Sequence, residues 1–283
     1  MTTAQEPQTG MITRRSLVNL GVAGYALAVS PVSAWAITTP AENLITADIE
    51  IPVGREKMPA YTATPKGKGP FPCVIVVQEI FGIHEYIRDV CRRLANEGYF
   101  AVAPSLYFRQ GDATKYTDIK KLIAELVSKV PQAQVLSDLD ETVKWLGEQK
   151  SVNTKRLGIT GYCWGGNVTW MFAAHNPAIR AGVAWYGRID GERNPGQPKF
   201  PIDVANQLKT PVLGLYGEKD QGIPIADIEK IRKELAKGSS KSLINIYAGA
   251  EHGFHADYRP SYQEKAAKEG WAALLAWFKE KLA

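Results

Sequence analysis

Apolar and polar positions along the chain follow two different periods, and their alternation predicts strands and helices in turn. Residues 73–77 (Cys-Val-Ile-Val-Val) form a continuous apolar run bounded by turn signals, which is typical of a strand buried on both faces of a parallel sheet. Residues 85–96 carry apolar side chains at helical spacing. Residues 43–51 alternate apolar with polar side chains and are predicted to form an edge strand.

The same criteria give the remaining elements. Further strands are predicted at 99–103, 156–160, 181–185, 211–216 and 243–247. Further helices are predicted at 119–130, 137–149, 167–175, 225–237 and 262–282. This alternation predicts an α/β fold, with a doubly wound, mostly parallel sheet and helices on both faces. No Gly- or Ser-rich linker divides residues 37–283, so we predict one domain, in which the loop 187–201 can cover a site.

The first 36 residues are predicted to be an export signal. Arg14 and Arg15 precede a short apolar stretch, residues 17–29, which is followed by the small-x-small tripeptide Ala34-Trp35-Ala36. The paired arginines resemble a twin-arginine signal. We therefore expect contact with an export machinery, cleavage after about Ala36 and a periplasmic mature protein. A buried N-terminal helix is the alternative interpretation.

Composition narrows the function classes. The chain has 283 residues, of which 45% are hydrophobic, and this share is typical of a globular protein. Its 34 Lys+Arg against 29 Asp+Glu give a net charge of +5 without a dense basic block, so nucleic acid is not the expected partner. No apolar run reaches the ~18 residues of a membrane span. Three cysteines cannot build a disulfide framework.

The most informative motif is Gly161-Tyr162-Cys163-Trp164-Gly165-Gly166, which lies between a predicted strand and a predicted helix. This is the context of the Gly-x-Ser-x-Gly nucleophile elbow of α/β-hydrolases, here with cysteine in place of serine. Glycines allow the tight turn that lifts the nucleophile above the sheet. The start of the following helix favours negative charge on the sulfur. A glycine-rich turn around an inert cysteine is the alternative.

The elbow requires an acid and then a histidine later in the chain. Asp220 follows the predicted strand 211–216, and we prefer it to Glu218 because it stands next to a turn into a helix. His252 follows the predicted strand 243–247, and we prefer it to His255 because it lies nearer the strand end. Asp220 can also be a simple turn residue or helix cap.

A carboxylate, Glu79, follows the buried strand within the segment Gln78-Glu79-Ile80-Phe81-Gly82. An ion pair with an arginine such as Arg88 would explain its burial. Together with the cysteine elbow, this segment resembles the dienelactone hydrolase (carboxymethylenebutenolidase) family from about Ile49 to the C-terminus. The resemblance includes Ala103-Pro104-Ser105-Leu106-Tyr107, Arg109-Gln110 and Asp138-Leu139.

The resemblance implies a Cys163-His252-Asp220 triad that cleaves a small ester or lactone through a thioester. It also implies that Glu79 holds the resting cysteine as a thiol and that the backbone N–H groups of Ile80 and Trp164 form the oxyanion hole.

This sequence departs from the family at the two arginines that bind a substrate carboxylate. Lys120-Lys121 and Ala256 occupy the matching positions, and Arg259 and Arg109 are the remaining candidates for substrate binding. The departure favours a broader carboxylesterase or thioesterase as an alternative to strict dienelactone chemistry. A non-catalytic periplasmic binding protein is the third hypothesis.

The remaining chemistry-bearing residues are not expected to form further sites. Cys73 and Cys91 are interpreted as small core residues, although a disulfide between them is an alternative. Four histidines without ligand spacing do not predict a metal site. No Gly-x-Gly-x-x-Gly motif follows the first buried strand, so no dinucleotide cofactor is expected.

Overall fold

A computed structural model of the protein describes residues 36–283. The predicted export signal therefore lies almost entirely outside the described residues. Eight strands form one sheet in the order β1-β2-β4-β3-β5-β6-β7-β8. The strands are β1 (Leu44–Val53), β2 (Glu56–Pro65), β3 (Phe71–Val77), β4 (Phe100–Pro104), β5 (Val152–Tyr162), β6 (Ala181–Trp185), β7 (Val212–Gly217) and β8 (Leu243–Tyr247). β1, β2 and β4 pair antiparallel, and every later pairing in the order is parallel.

Five long helices connect or follow these strands. They are α1 (Glu85–Asn96), α2 (Gln132–Gly147), α3 (Trp164–His175), α4 (Ile225–Lys237) and α5 (Glu264–Lys281). Short helical turns cover Ile119–Lys121, Leu122–Leu126, Val127–Lys129, Pro201–Val204 and Ala205–Gln207. The predicted α/β-hydrolase fold is confirmed by this mostly parallel sheet with its connecting helices.

The strand β3 divides the core into two layers because its side chains alternate between the faces of the sheet. Val74 and Val76 pack in one layer with α1 and α5, whereas Ile75 and Val77 pack in the other with α2 and α3. All five residues of the predicted run 73–77 are fully buried. The continuous apolar pattern thus reflects helices on both faces.

The two cysteines outside the elbow lie in opposite layers. Cys73 packs with the α2–α3 layer and Cys91 with the α1–α5 layer, and both thiols are free. The sheet between them explains why they do not form the disulfide that was considered as an alternative. Burial raises the pKa of both thiols, which keeps them protonated and unreactive.

The sequence pattern missed the strand β2 entirely. Its residues include Pro59 and Pro65, which disfavour a strand assignment from local pattern. Pairing with β1 along its whole length forms the strand, and β4 pairs only with residues 60–63, beyond Pro59.

The helix predicted at 137–149 begins earlier than the pattern indicates, at Gln132, directly after Pro131. Within the described chain, no helix combines the length and apolar character needed to cross a bilayer.

Candidate active site

Four predicted site residues follow the carboxyl ends of parallel strands. Glu79 follows β3, Cys163 follows β5, Asp220 follows β7 and His252 follows β8. The strand register aligns these ends, because Val77 pairs with Gly161 across β3 and β5. Carboxyl ends of parallel strands meet at one edge of the sheet, which is where open α/β sheets hold their sites.

Cys163 occupies a strained turn between β5 and α3. Its backbone has φ 55° and ψ −114°, a conformation that residues other than glycine rarely adopt. The turn is held because the Cys163 N–H donates to the Trp185 carbonyl over 3.0 Å, and the Cys163 carbonyl accepts from the Gly166 N–H over 3.0 Å. Such strain persists only where surrounding contacts fix it, as it does at a nucleophile elbow.

The glycines around Cys163 are required by close backbone packing. A Cβ atom on Gly161 would lie 2.2 Å from the Gly165 carbonyl oxygen. A Cβ atom on Gly165 would lie 2.5 Å from the carbonyl oxygens of Val77 and Gln78. These two glycines therefore let the end of β3 and the start of α3 approach the elbow.

His252 and Asp220 are joined by a short hydrogen bond. His252 Nδ1 lies 2.7 Å from Asp220 Oδ2, and the Asp220 side chain is fully buried. The other Asp220 oxygen accepts from the Gly222 N–H over 2.9 Å. Gly217 lets the two loops meet, since a Cβ atom there would lie 2.4 Å from the Ala250 carbonyl oxygen. The aspartate thereby fixes the orientation of the imidazole ring.

His252 also makes a hydrogen bond with the Cys163 side chain. Burial favours neutral His252, but the charges of Cys163 and Asp220, with a hydrogen bond to each, raise the pKa of His252 to about 10. The arrangement therefore favours the imidazolium form of His252 at neutral pH.

Glu218 and His255, the alternatives to Asp220 and His252, make other contacts. The Glu218 carboxylate accepts from the Gly249 N–H over 2.8 Å and stabilises the turn before His252. His255 is buried, and its Nδ1 lies 2.6 Å from the Tyr86 hydroxyl. Burial lowers the pKa of His255, so it stays neutral among the aromatic rings. The structure thus brings Asp220 and His252, and not Glu218 or His255, to Cys163.

The predicted oxyanion-hole donors lie on either side of the elbow. Trp164 is the first residue of α3, where backbone N–H groups have no acceptor within the helix. Ile80 stands in a tight turn in which the Gly82 N–H donates to the Glu79 carbonyl over 3.4 Å. The close approach at Gly165 places this turn against the start of α3.

The Glu79 carboxylate binds three side chains, and Cys163 is not among the hydrogen-bond partners described for it. Arg259 donates over 2.8 Å, the Tyr258 hydroxyl donates over 2.5 Å, and His84 Nε2 lies 3.3 Å away. Burial alone would raise the pKa of Glu79, but Arg259, His84 and Tyr258 lower it to about 2. A guanidinium compensates a buried carboxylate better than a neutral thiol does, so these contacts favour an ionised Glu79 bound to Arg259. The pairing of Glu79 with the resting thiol stays a prediction.

Both arginines proposed for substrate binding form ion pairs with carboxylates of the protein. The Arg259 side chain is 4% exposed and pairs with Glu79. Arg109 pairs with Asp138 over 2.7 Å and with Glu56 over 2.5 Å. The Arg88 side chain considered as a partner of Glu79 binds Asp48 instead. Both guanidiniums are therefore held by acidic side chains, and substrate binding by Arg259 or Arg109 stays a prediction.

Sequence reasoning missed two aromatic residues of the site. Tyr258 donates to Glu79, and its position beside Arg259 in the loop after His252 was the available signal. Tyr186 follows β6 with φ 37°, and its ring packs edge-on against His252 with centroids 5.1 Å apart. No local sequence signal marks Tyr186, because its contact with His252 forms only in the folded chain.

The loop 187–201 is bound to α2. The Gln132 N–H donates to the Gly196 carbonyl over 2.7 Å, and the Gln132 side chain donates to the Lys199 carbonyl over 2.9 Å. A cavity of about 30 Å³ lies beneath the loop, between α2 and α3, and Trp164 lines it. Within residues 36–283, no cluster of His, Cys, Asp or Glu side chains has the arrangement of a metal site.

Comparison with known proteins relates the chain to one family. Residues 58–282 match the model of the dienelactone hydrolase family. The chain is 53% identical over 272 residues to a candidate carboxymethylenebutenolidase of Methylorubrum extorquens, covering 95% of this chain and 93% of the relative. It is 49% identical over 258 residues to a similarly named protein of Escherichia coli, covering 91% of this chain and 95% of that protein.

A solved structure gives the same relationship. The crystal structure of a candidate dienelactone hydrolase from Klebsiella pneumoniae superposes with a TM-score of 0.82 at 54% identity, and the match covers 84% of this chain and 99% of that chain. Sequence and fold therefore agree over the region that contains Cys163, Asp220 and His252.

Proposed function

Because the chain belongs to the dienelactone hydrolase family and is a hydrolase, we propose that it cleaves a small ester or lactone through a thioester on Cys163. The observation that carries this proposal is the contact of His252 with both Cys163 and Asp220 beside the strained elbow. A nucleophile, its base and a group that orients the base are the three parts of nucleophilic acyl transfer.

In the proposed acylation step, the Cys163 thiolate attacks the carbonyl carbon and a C–S bond forms. The carbonyl π electrons move to oxygen, and the backbone N–H groups of Ile80 and Trp164 stabilise that oxyanion. As the tetrahedral intermediate collapses, the C–O bond to the leaving group breaks. The leaving oxygen takes the proton carried by the His252 imidazolium and becomes an alcohol, which remains attached when the substrate is a lactone.

In the proposed deacylation step, neutral His252 removes a proton from water, and the hydroxide attacks the thioester carbonyl. The C–S bond breaks, the carboxylic acid leaves and the sulfur regains its contact with the imidazolium. Asp220 holds the ring through its 2.7 Å hydrogen bond in both steps. The residues alone complete this cycle, with water as the second substrate.

The substrate we propose is an ester or lactone without a carboxylate near the reacting carbonyl. Arg259 and Arg109 are both paired with acidic side chains, and Ala256 stands at the position of a family arginine. A second anion beside buried Glu79 would be unfavourable without a free cation. This favours the broader carboxylesterase or thioesterase activity over strict dienelactone specificity.

The test compares two substrates on the chain that begins at Ile37. Hydrolysis of a neutral aryl acetate and ring opening of a dienelactone are followed by absorbance in parallel. We expect acetate turnover with the larger kcat/KM, and a loss of at least about a thousandfold in Cys163→Ala. The matched control is Cys91→Ala, which removes a buried thiol from α1 and leaves turnover intact. Dienelactone turnover far above that of the acetate would contradict the proposed substrate class.

We also propose that residues 1–36 direct export and that the mature protein works in the periplasm. The support is the Arg14-Arg15 pair, the short apolar stretch and the Ala34-Trp35-Ala36 site. Cell fractionation of the full chain and of an Arg14→Lys, Arg15→Lys variant tests this. Retention of the variant in the cytoplasm supports the twin-arginine route, and cytoplasmic accumulation of the unaltered chain contradicts export.

A further inference from the structure

The segment that follows Ala36 lies on helix α1 instead of extending into solvent. The Thr39 N–H donates to the Asp89 carboxylate over 2.5 Å, and the Thr39 carbonyl accepts from Arg92 over 2.9 Å. The Ile37 N–H interacts with the carboxylate of Asp257, in the loop after His252. Ile37 and Thr39 are thus both bound to charged groups of the folded domain.

The cluster that receives this segment holds more acidic than basic side chains. Arg93 bridges Asp89 over 2.6 Å and Asp257 over 2.5 Å. Arg92 is shared between Asp89, at 3.0 Å, and Glu85, at 2.5 Å. Asp89 therefore contacts both guanidiniums, whereas Asp257 shares Arg93 with Asp89, and the third carboxylate, Glu85, is half exposed.

The charge of Asp257 is less well compensated than that of Asp89, and burial makes this costly. The side chains of Asp89 and Asp257 are 1% and 2% exposed. Burial raises the pKa of Asp257, Arg93 opposes this, and the charge of Asp89 adds to it. A further cation placed at Asp257 would stabilise the ionised cluster.

We propose that removal of the export signal creates this cation, because the new α-ammonium group of Ile37 binds Asp257. The proposal rests on the proposed cleavage after Ala36. Hydrolysis of the Ala36–Ile37 peptide bond by the export protease adds water, leaves a carboxylate on Ala36 and converts the Ile37 amide nitrogen into an ammonium group. The nitrogen that already faces Asp257 as an amide thereby gains a positive charge and two further donors.

The docking site is connected to the candidate active site through one loop. Asp257 directly precedes Tyr258 and Arg259, and both of these donate to Glu79. An ammonium group on Asp257 fixes the start of the segment that holds the Glu79 carboxylate. The mature N-terminus is therefore a positioning element for this side of the site.

The experiment compares two chains that differ by one residue at the N-terminus. One begins at Ile37 and the other retains Ala36, and both are released from a fusion partner by a protease that leaves no extra residue. The added residue moves the ammonium group about 3.8 Å along the chain while Asp257 is unchanged. An acylating reagent labels the α-amine at pH 7, and mass spectrometry quantifies the labelled N-terminal peptide.

Docking raises the pKa of the Ile37 α-amine, so we expect its labelling to be about tenfold slower than that of the Ala36 chain. We also expect a higher Tm for the Ile37 chain. Asp257→Asn abolishes both differences, whereas the matched control Asp48→Asn, at the exposed partner of Arg88, keeps them. The groups that face the ammonium and set its pKa are Glu85, Asp89, Arg92 and Arg93 of α1 with Asp257 and Tyr262 of the loop.

Equal labelling rates and equal Tm values in the two chains would overturn the docking proposal, even if Asp257→Asn does not fold. N-terminal sequencing of the exported protein tests the cleavage separately. A mature chain that begins elsewhere would overturn the processing step, while the recombinant pair still reports whether Asp257 binds an ammonium group at Ile37.

Discussion

The Arg259 guanidinium lies 2.8 Å from the Glu79 carboxylate, and neither side chain is more than 4% exposed. The pair joins the loop after β3 to the loop after β8, on both of which candidate site residues lie. Each charge is stable in the interior because the other is present. Several properties of the protein follow from this pair and from the elbow beside it.

Replacing Arg259 by Met leaves Glu79 buried without its guanidinium. We expect the free energy of unfolding to fall by about 3–5 kcal/mol, because one member of a buried ion pair is removed. Urea unfolding at pH 7 measures the loss. The control is Arg193→Met, which breaks partly exposed pairs with Asp190 and Asp203 and has little effect. Equal, small losses in both variants would mean that Arg259 does not compensate Glu79.

The lowered pKa of Glu79 predicts sensitivity to acid. A carboxyl group whose pKa falls from 4.5 to about 2 on folding stabilises the protein above pH 4.5, and this contribution is lost as the pH falls toward 2. The contribution is on the order of 3 kcal/mol. Urea unfolding between pH 2.5 and 6 should show a shallower pH dependence in Glu79→Gln. An unchanged slope would indicate that Glu79 has an ordinary pKa.

The raised pKa of His252 predicts a loss of stability as the pH rises, opposite to the effect of Glu79. The contribution of His252 to stability is complete below pH 6.5 and is lost as the pH rises through about 10. NMR titration of the imidazole should show a charged ring at pH 8. In Cys163→Ala the pKa should fall, because the sulfur charge is absent, whereas Cys91→Ala should leave it unchanged. A neutral ring at pH 8 in the unaltered protein would contradict the raised pKa of His252.

The position of Glu79 predicts how fast Cys163 is alkylated. Since its carboxylate is bound to Arg259, Tyr258 and His84, Glu79→Gln should change the rate of reaction with iodoacetamide by less than about twofold in the absence of substrate. Mass spectrometry of the Cys163 peptide gives the rate. A large acceleration would instead support the resting Glu79–thiol pair that the family resemblance implies.

Gly165 predicts a steric requirement of the elbow. In Gly165→Ala the new Cβ meets two carbonyl oxygens at 2.5 Å, so the contact between the end of β3 and α3 must open. We expect a loss of at least about 2 kcal/mol in stability together with loss of ester hydrolysis. Gly147→Ala is the matched control, because its Cβ meets nothing within 4 Å and should raise stability by up to about 1 kcal/mol. Similar behaviour of the two variants would argue against close packing at the elbow.

The sequence alone determined the type of fold and predicted the members of the candidate triad. Continuous apolar runs such as 73–77 and amphipathic helices such as 85–96 are local signals of burial, and their order specifies an α/β sheet. The elbow motif is likewise local, because its glycines are needed within a few residues of Cys163. Asp220 was preferred because it stands next to a turn into a helix, and His252 because it lies near the end of a predicted strand.

Only the tertiary structure decided which charged groups meet. Glu79 and Arg259 are 180 residues apart, so no local pattern could show that this arginine binds Glu79. The strand β2 could not be predicted for a related reason. Its hydrogen-bonded pairing with β1 and β4 stabilises the strand although its prolines disfavour one locally. Local sequence specifies burial and turn geometry, whereas the pairing of buried charges depends on which loops the completed sheet brings together.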